Sequence, residues 1–304
     1  MPDVAHDCPV CSTAMVDHFK TEEADYTLCP NCDYLRAWAK DVNPLDLNVS
    51  LYNERFDQHL EETRVMDDKR RRKYRRFLGQ AAGFKQTGRL LDIGCGSGRL
   101  LQVAVEDGWE AWGSDPAMGK AATRDDAFQI VPHVVNECGF EDGIFDVVHA
   151  NEVIEHISDL FPFVTEVSRI LRPGGVAVFR TPHHRSWTAR MVGADWRQYE
   201  VFEKGHVGFV SSRTMTHLFK RNGMRLDRVV TDHFSLRDRY PIKTKVLRML
   251  VGRAYDLVGQ VAKVVARGER ITVWGVKNQV ANGTVGAARS SVGVERTEHR
   301  LNSG

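Results

Sequence analysis

The sequence carries no surplus of charge: 42 Lys and Arg against 40 Asp and Glu leave a net +2. That balance argues against a surface given over wholly to nucleic acid, while local basic patches stay open. Long apolar runs are missing too. The richest stretch, residues 246–266, is broken by Arg248, Arg253, Asp256 and Lys263, whereas a spanning helix needs roughly 20 predominantly apolar residues. No transmembrane segment is expected. The N-terminus MPDVAHDCPV shows no basic region followed by an apolar one, which speaks against a secretory signal and for a reducing, cytoplasmic compartment. Cysteine is scarce, six in 304 residues, and four of the six fall in the first 32. The scattered disulfides of a secreted protein would not be placed that way.

What is present otherwise is ordinary for a globular chain: 42% hydrophobic and 27% charged residues, and length enough for one large or two modest domains. The cysteines form two matched pairs, Cys8 with Cys11 and Cys29 with Cys32, separated by 17 residues. That is the spacing of a zinc site. Two turns each aim two thiolates at one point, and four thiolates leave no open coordination position, so the expected zinc is structural. Residues 1–40 thus read as a small zinc-ribbon module, too short to fold without such a staple; His6 and His18 read as surface residues. Residues 41–84 read as a polar linker, with Pro44, and a charged helical connector.

From Arg89 onward short apolar runs alternate with amphipathic stretches. The runs at 89–93, 111–114, 129–131, 145–150, 176–181, 225–231 and 271–277 predict strands. Residues 161–171 and 212–222 predict helices, the second with Met215, Leu218 and Phe219 on one face, Ser211 or Ser212 as its cap and Asn222-Gly223 as its stop. Strands alternating with helices predict an α/β fold with a doubly wound, mostly parallel sheet over 85–279. An amphipathic helical insertion is expected over 241–268, for core or dimer packing or as a basic interfacial helix. Residues 280–304 read as a disordered tail.

The segment RLLDIGCGSG (89–98) is a strand running into a glycine turn and then a helix, a nucleotide-type site at the carboxyl end of a strand. Asp92, just before the turn, would repel a pyrophosphate set on the following helix N-terminus. It suits a ligand carrying an ammonium and no phosphate. Asp115 lies 21 residues after Gly94, near the interval of roughly 20 at which an acid reaches ribose hydroxyls. A ribose without phosphate, joined to an amino acid ammonium, describes S-adenosylmethionine.

The segment LLDIGCGSGRLL resembles the first motif of class I S-adenosylmethionine-dependent methyltransferases, and GSDPA resembles their acidic second-strand motif. FEDGIFDVVHANEVIEHISD (140–159) and ILRPGGVAVFRTPHH (170–184) resemble the fourth- and fifth-strand blocks. KGHVGFVSSRTMTHLFKRNGM (204–224) resembles the late segment of the branch that includes ubiquinone-biosynthesis O-methyltransferases and many small-molecule and glycan methyltransferases. The resemblance covers about residues 90–277. It implies a Rossmann-like seven-strand sheet with S-adenosylmethionine as cofactor. Asp92, Gly94, Cys95, Gly96 and Gly98 would surround the methionine part, Asp115 would take the ribose and Asn136 or Glu137 the adenine. Asn151 and Glu152 would line the methyl-transfer face. A cysteine module ahead of such a domain recurs among sugar and natural-product methyltransferases.

A sulfonium methyl is already electrophilic, so the protein mainly aligns the partners and excludes water. An oxygen or carbon acceptor still calls for a base near neutral pH; His183 and His184, directly after the fifth strand, and His206 are the candidates. Glu155-His156 reads as a packing and hydrogen-bonding element. No N-P-P-Y or D-P-P-Y string follows the fourth strand, which argues against exocyclic base amines as acceptors. The run KRRRKYRR (69–76) reads as a solvated helix face or as a grip on phosphates of a nucleotide sugar, lipid or RNA. Trp187, Trp196 and Tyr199 read as core or as a cap over the acceptor. The expected activity is methyl transfer to a hydroxyl of a small-molecule or saccharide acceptor, with carbon as the second choice of atom. An RNA methyltransferase and a non-catalytic scaffold are the alternatives. Peripheral membrane contact is left open, as is the choice between monomer and homodimer.

Overall fold

The structure, a computed structural model, describes residues 6–39, 66–84, 87–120, 127–232, 261–262 and 265–279. Residues 41–65 of the linker and connector expected over 41–84, most of the insertion over 241–268 and the tail over 280–304 lie outside the described residues.

The first described segment is an antiparallel ribbon of β1 (Val16–Lys20), β2 (Ala24–Leu28) and β3 (Leu35–Ala39). Helix α1 (Asp68–Ala82) follows, started by Asp67, whose carboxylate accepts from the Arg70 amide at 2.6 Å. Then come β4 (Arg89–Ile93), α2 (Arg99–Glu106), β5 (Glu110–Ser114), β6 (Gln129–Val131), β7 (Phe145–Asn151), α3 (Leu160–Ile170) and β8 (Leu171–Pro182). The short helices α4 (Trp187–Val192) and α5 (Val201–Lys204), β9 (Gly208–Phe209), α6 (Ser212–Arg221), β10 (Met224–Asp232) and β11 (Arg270–Lys277) complete the chain.

Seven strands form the large sheet in the order β10-β11-β8-β7-β4-β5-β6. The five from β4 to β8 are parallel, and β10 and β11 are antiparallel at one edge. The predicted runs become strands because alternate residues face opposite ways and both faces are covered. Leu90, Val147, Val176, Val178 and Trp274 join Leu100, Leu101 and Ala104 of α2 on one side. Leu91, Val148, Ala177, Phe179 and Val273 join Phe163 of α3 and Met215 and Leu218 of α6 on the other. Chain order reverses between β4 and β7, so the cleft at the carboxyl ends of these strands is the switch point where such sheets bind ligands.

The strand predicted to begin at Val176 begins at Leu171, and α3 stops one residue short of its predicted end. Pro173 accounts for this, because the residue before a proline is driven out of the helical region. The small sheet also differs from a free-standing ribbon. Its fourth strand is β9, which pairs antiparallel with β3 through Leu35–Phe209 and Arg36–Gly208. A cluster of Tyr26, Leu35, Trp196, Tyr199, Val201 and Phe209 is buried across that junction.

Candidate functional site

The glycine turn is held from both sides. Gly94 donates its amide to Ser114 O at 2.7 Å, and Gly96 donates to the Asp115 carboxylate at 2.8 Å. The other Asp115 oxygen accepts from the Ala117 amide at 3.0 Å, and the residue is fully buried. Gly94, Gly96 and Gly98 all have positive φ, +67°, +50° and +73°. A side chain at Gly94 would come within 2.5 Å of Val153, whereas one at Gly96 would meet nothing within 4 Å. The turn is therefore packed below and open above Gly96.

Asp92 is buried beneath this turn and binds His149 Nδ1 at 2.7 Å. His149 in turn meets the Phe77 ring of α1 in a tilted contact at 4.5 Å. Cys95 is half-buried, and burial together with the Asp92 and Asp115 charges pushes its thiol up, so it stays protonated. These groups fit S-adenosylmethionine: a buried acid for an ammonium, a second for hydroxyls, open space over a glycine backbone and no basic group within the turn to meet a phosphate. Asn136 is exposed and donates its amide to Pro162 O at 3.3 Å, which engages it with α3.

Asn151 and Glu152 stand at the carboxyl end of β7. Glu152 has a positive φ of 56°, rare for a side chain of its size. Its carboxylate is gripped by Arg270 at 2.9 Å and Arg180 at 3.1 Å, and Arg180 also reaches Asp232 at 3.2 Å. Sequence reading missed these two arginines, because β8 and β11 bring them together only in the sheet. Behind them Glu155 is fully buried; one oxygen accepts from Thr181 Oγ1 at 2.9 Å, and burial raises its pKa to about 8. Its other oxygen lies 3.9 Å from His206 Nε2, and the His206 and His156 rings meet edge to face at 4.9 Å. Ligand atoms of Glu155, His156 and His206 all lie within 4.8 Å of one another, close enough to share one cation.

Each of the three candidate histidines is buried with a ring nitrogen facing a backbone carbonyl. His183 Nδ1 faces Gly268 O at 3.2 Å, His184 Nε2 faces Asp33 O at 3.0 Å, and His206 Nδ1 faces Gln198 O at 3.0 Å. Burial lowers their pKa values to about 4, 3 and 3. Since a carbonyl only accepts, the facing nitrogen carries the proton, and the remaining nitrogen of each ring keeps a lone pair. The structure brings His206 beside Glu155, while His184 reaches into the cysteine module.

In that module the two knuckles repeat one another. Cys8 and Cys29 accept at their carbonyls from Ser12 and Asp33 at 2.8 and 3.0 Å, and donate their amides to Thr13 O and Tyr34 O at 2.9 and 2.8 Å. Ser12 and Asp33, each next to the second cysteine of its pair, have positive φ, 58° and 67°. The four sulfurs lie within 4.8 Å of one another, with Cys8–Cys32 and Cys11–Cys29 both at 3.4 Å. A tetrahedral zinc with bonds of about 2.3 Å would set its sulfurs about 3.8 Å apart, so a small relaxation accommodates it.

The basic run on α1 divides. Arg71 pairs with Glu106, and Arg75 reaches Glu106 at 3.3 Å and Asp107 at 3.2 Å, which fastens α1 to α2. Lys69, Arg70, Arg72, Lys73 and Arg76 remain exposed. Partial desolvation and then Arg180 lower the Lys73 pKa, with Asp232 and Glu152 acting in the opposite sense. Among the described residues no helix is long and apolar enough to cross a membrane.

Known proteins bear on this geometry. A methyltransferase-domain family model matches residues 66–229, more than half of the chain. The ubiquinone biosynthesis O-methyltransferase of Azorhizobium caulinodans is 32% identical over 120 residues, covering 36% of this chain and 46% of that protein. The protein of the same name from Nitrobacter winogradskyi is 28% identical over 151 residues, covering 45% and 56%. The chain thus spans about half the length of these curated relatives. A SAM-dependent methyltransferase from Thermotoga maritima superposes with a TM-score of 0.50 at 17% identity, over 75% of this chain and 99% of that one. One from Archaeoglobus fulgidus gives 0.50 at 18% identity over 73% and 99%. The sheet order, the acid-flanked glycine turn and the family match agree: the chain belongs to the methyltransferase-domain family, built on the class I fold of S-adenosylmethionine-dependent methyltransferases.

Proposed function

We propose that the protein transfers a methyl group from S-adenosylmethionine to a hydroxyl of a small-molecule or saccharide acceptor, with a ring carbon as the second choice of atom. The observation that carries this is the phosphate-free glycine turn, open above Gly96 and flanked by the buried acids Asp92 and Asp115. Asp92 receives the ammonium, Asp115 the ribose hydroxyls, and Asn151 and Glu152 face the acceptor. The bound cofactor supplies an electrophilic methyl; the chain supplies alignment and a proton acceptor. His206 is our first choice for that acceptor, because its free Nε2 lies on the Glu155 side, with His183 second; burial keeps both rings neutral at pH 7 but weakly basic in the free protein. His184 is read as a brace. Zinc on Cys8, Cys11, Cys29 and Cys32 is proposed as a structural ion.

The relatives' names support an oxygen acceptor. RNA is kept as the alternative: Arg71 and Arg75 are paired with Glu106 and Asp107, while Lys69, Arg70, Arg72, Lys73 and Arg76 are exposed. The deciding experiment is calorimetric titration with S-adenosylhomocysteine, followed by labelled methyl transfer onto fractionated sugars, lipids, quinol precursors and RNA. Micromolar binding and label in a sugar or phenolic fraction are expected. No binding would leave a scaffold, and label confined to RNA would replace the acceptor class.

A second reading concerns activation of the acceptor. A divalent cation on Glu155, His156 and His206 would polarise a hydroxyl directly. Turnover that rises when Mg2+ or Mn2+ is added to protein already holding one zinc, and loses that response in His156→Ala, supports it. Equal turnover with and without added cation removes it.

A further inference from the structure

Among the described residues, the hydrogen bonds of the cysteine module run to one side of the cleft, while Cys8, Val10, Cys29 and Cys32 share an apolar core with Leu91 and Ile93 of β4. Strand β3 hands a hydrogen bond to the segment beyond it, Ala37 N to Val207 O at 3.0 Å, and Val207 N continues to Glu155 O at 2.8 Å. A main-chain ladder therefore runs from the ribbon through the residue after His206 to Glu155. Arg36 adds a bond to Ser158 O. The second knuckle grips the loop after β8: Asp33 O accepts from His184, and the Asp33 carboxylate holds Arg185 Nε at 2.9 Å. Cys32 O accepts from Thr214 Oγ1 at 3.0 Å, and Val10 O of the first knuckle accepts from Arg221, so both knuckles also seat α6. Among the described residues, no bond of this kind reaches Asp92, the glycine turn or Asp115 from the module.

We propose that the cysteine module is a positioning device for the acceptor half of the site: zinc in the four-cysteine cluster sets the placement of the Glu155–Ser158, His183–Arg185 and His206–Val207 segments while leaving the cofactor half alone. Asp33 and Arg36 are positioning residues that act through those segments. Asp33 suits the part because its positive φ is created by the knuckle turn itself. Folding of the metal site thus aims its carbonyl and carboxylate at His184 and Arg185. The inference rests on the reading of these segments as the acceptor side, and it is tested without any acceptor.

The full chain, reduced and holding one zinc, is compared with chelator-treated protein by hydrogen exchange and by calorimetry with S-adenosylhomocysteine. Removal of zinc is expected to speed exchange at least tenfold in 154–158, 183–186 and 205–209, to leave 89–115 within twofold, and to change cofactor affinity less than threefold. Asp33→Asn and Arg36→Met supply the second arm, since both are expected to retain one zinc per chain and to show the same regional pattern in weaker form. Exchange in the three acceptor segments that stays unchanged, or a glycine turn that loosens equally, overturns the proposal. If chelated protein unfolds outright, the two variants decide by the same criteria. A chain that never binds S-adenosylhomocysteine, yet shows the regional exchange pattern, would sink the methyltransferase reading and spare the coupling.

Discussion

Asp115, the proposed ribose partner, braces the turn, since its two oxygens fix the amides of Gly96 and Ala117. Hydrogen bonds to a charged group contribute about 1.5–3 kcal/mol. Asp115→Ala is therefore expected to weaken S-adenosylhomocysteine binding by about tenfold or more in calorimetry, and unchanged affinity would contradict its role. His183 offers a pH signature. Its folded pKa of about 4 lies below the usual 6.5 because burial penalises the imidazolium. A depressed histidine contributes stability that is fully present above pH 6.5 and is lost as pH falls through 4. A shift of this size corresponds to roughly 3 kcal/mol. His183→Asn, which keeps a donor toward Gly268 O, is expected to flatten the fall of urea midpoint between those pH values; a wild-type slope in the variant would reject this account. The glycine turn was legible because positive φ at 94, 96 and 98 selects glycine; that it and its flanking acids hold the cofactor is our proposal. Glu155 was not legible as a site group, since its burial and its Thr181 partner exist only after β7 and β8 pair.

At the scale of elements, period and punctuation carried most of the information. Helix α6 is capped by Ser211, one of the two expected candidates, with a reciprocal cap in which Thr214 accepts from the Ser211 amide at 3.1 Å and Ser211 from the Thr214 amide at 3.4 Å. Ser211→Ala is expected to lower stability by about 1 kcal/mol, read as a lower denaturation midpoint with an unchanged slope. The α1 run KRRRKYRR shows where one-dimensional reading stops. Seven basic residues in eight look like a uniform cationic face, yet two of them pair with Glu106 and Asp107 at the end of α2. Neutralising exposed Lys69, Arg70 and Arg72 together is accordingly expected to leave weak RNA binding weak. A steep salt dependence that vanishes in that variant would restore the RNA reading. Trp196 and Tyr199 prove to be core, because β2, β3 and β9 surround them.

For the whole molecule, a mostly parallel, doubly wound sheet followed from the alternation of runs, but its strand order and the joining of two sheets did not. No spacing in the first 40 residues announces that β3 will pair with a strand near residue 208. Two ordinary-looking residues, Gly208 and Phe209, carry that pairing; a Cβ at Gly208 would lie 2.4 Å from the Tyr34 hydroxyl, so glycine is required for the close approach. Gly208→Ala is thus expected to loosen the joint, visible as a lower unfolding temperature together with faster zinc loss to a chelator. Zinc retention at the wild-type rate would show that the two sheets are held by other means.

The two-residue strand also decides how this protein can be dissected. A shortened chain starting at residue 66 would bare the edge of β9 and uncover the apolar faces of Trp196, Tyr199 and Phe209 that the ribbon now shields. Exposed strand edges and apolar patches invite self-association. Light scattering should find such a fragment aggregated where the full chain is monodisperse, so the ribbon and the methyltransferase fold form one solubility unit rather than an enzyme with a removable appendage.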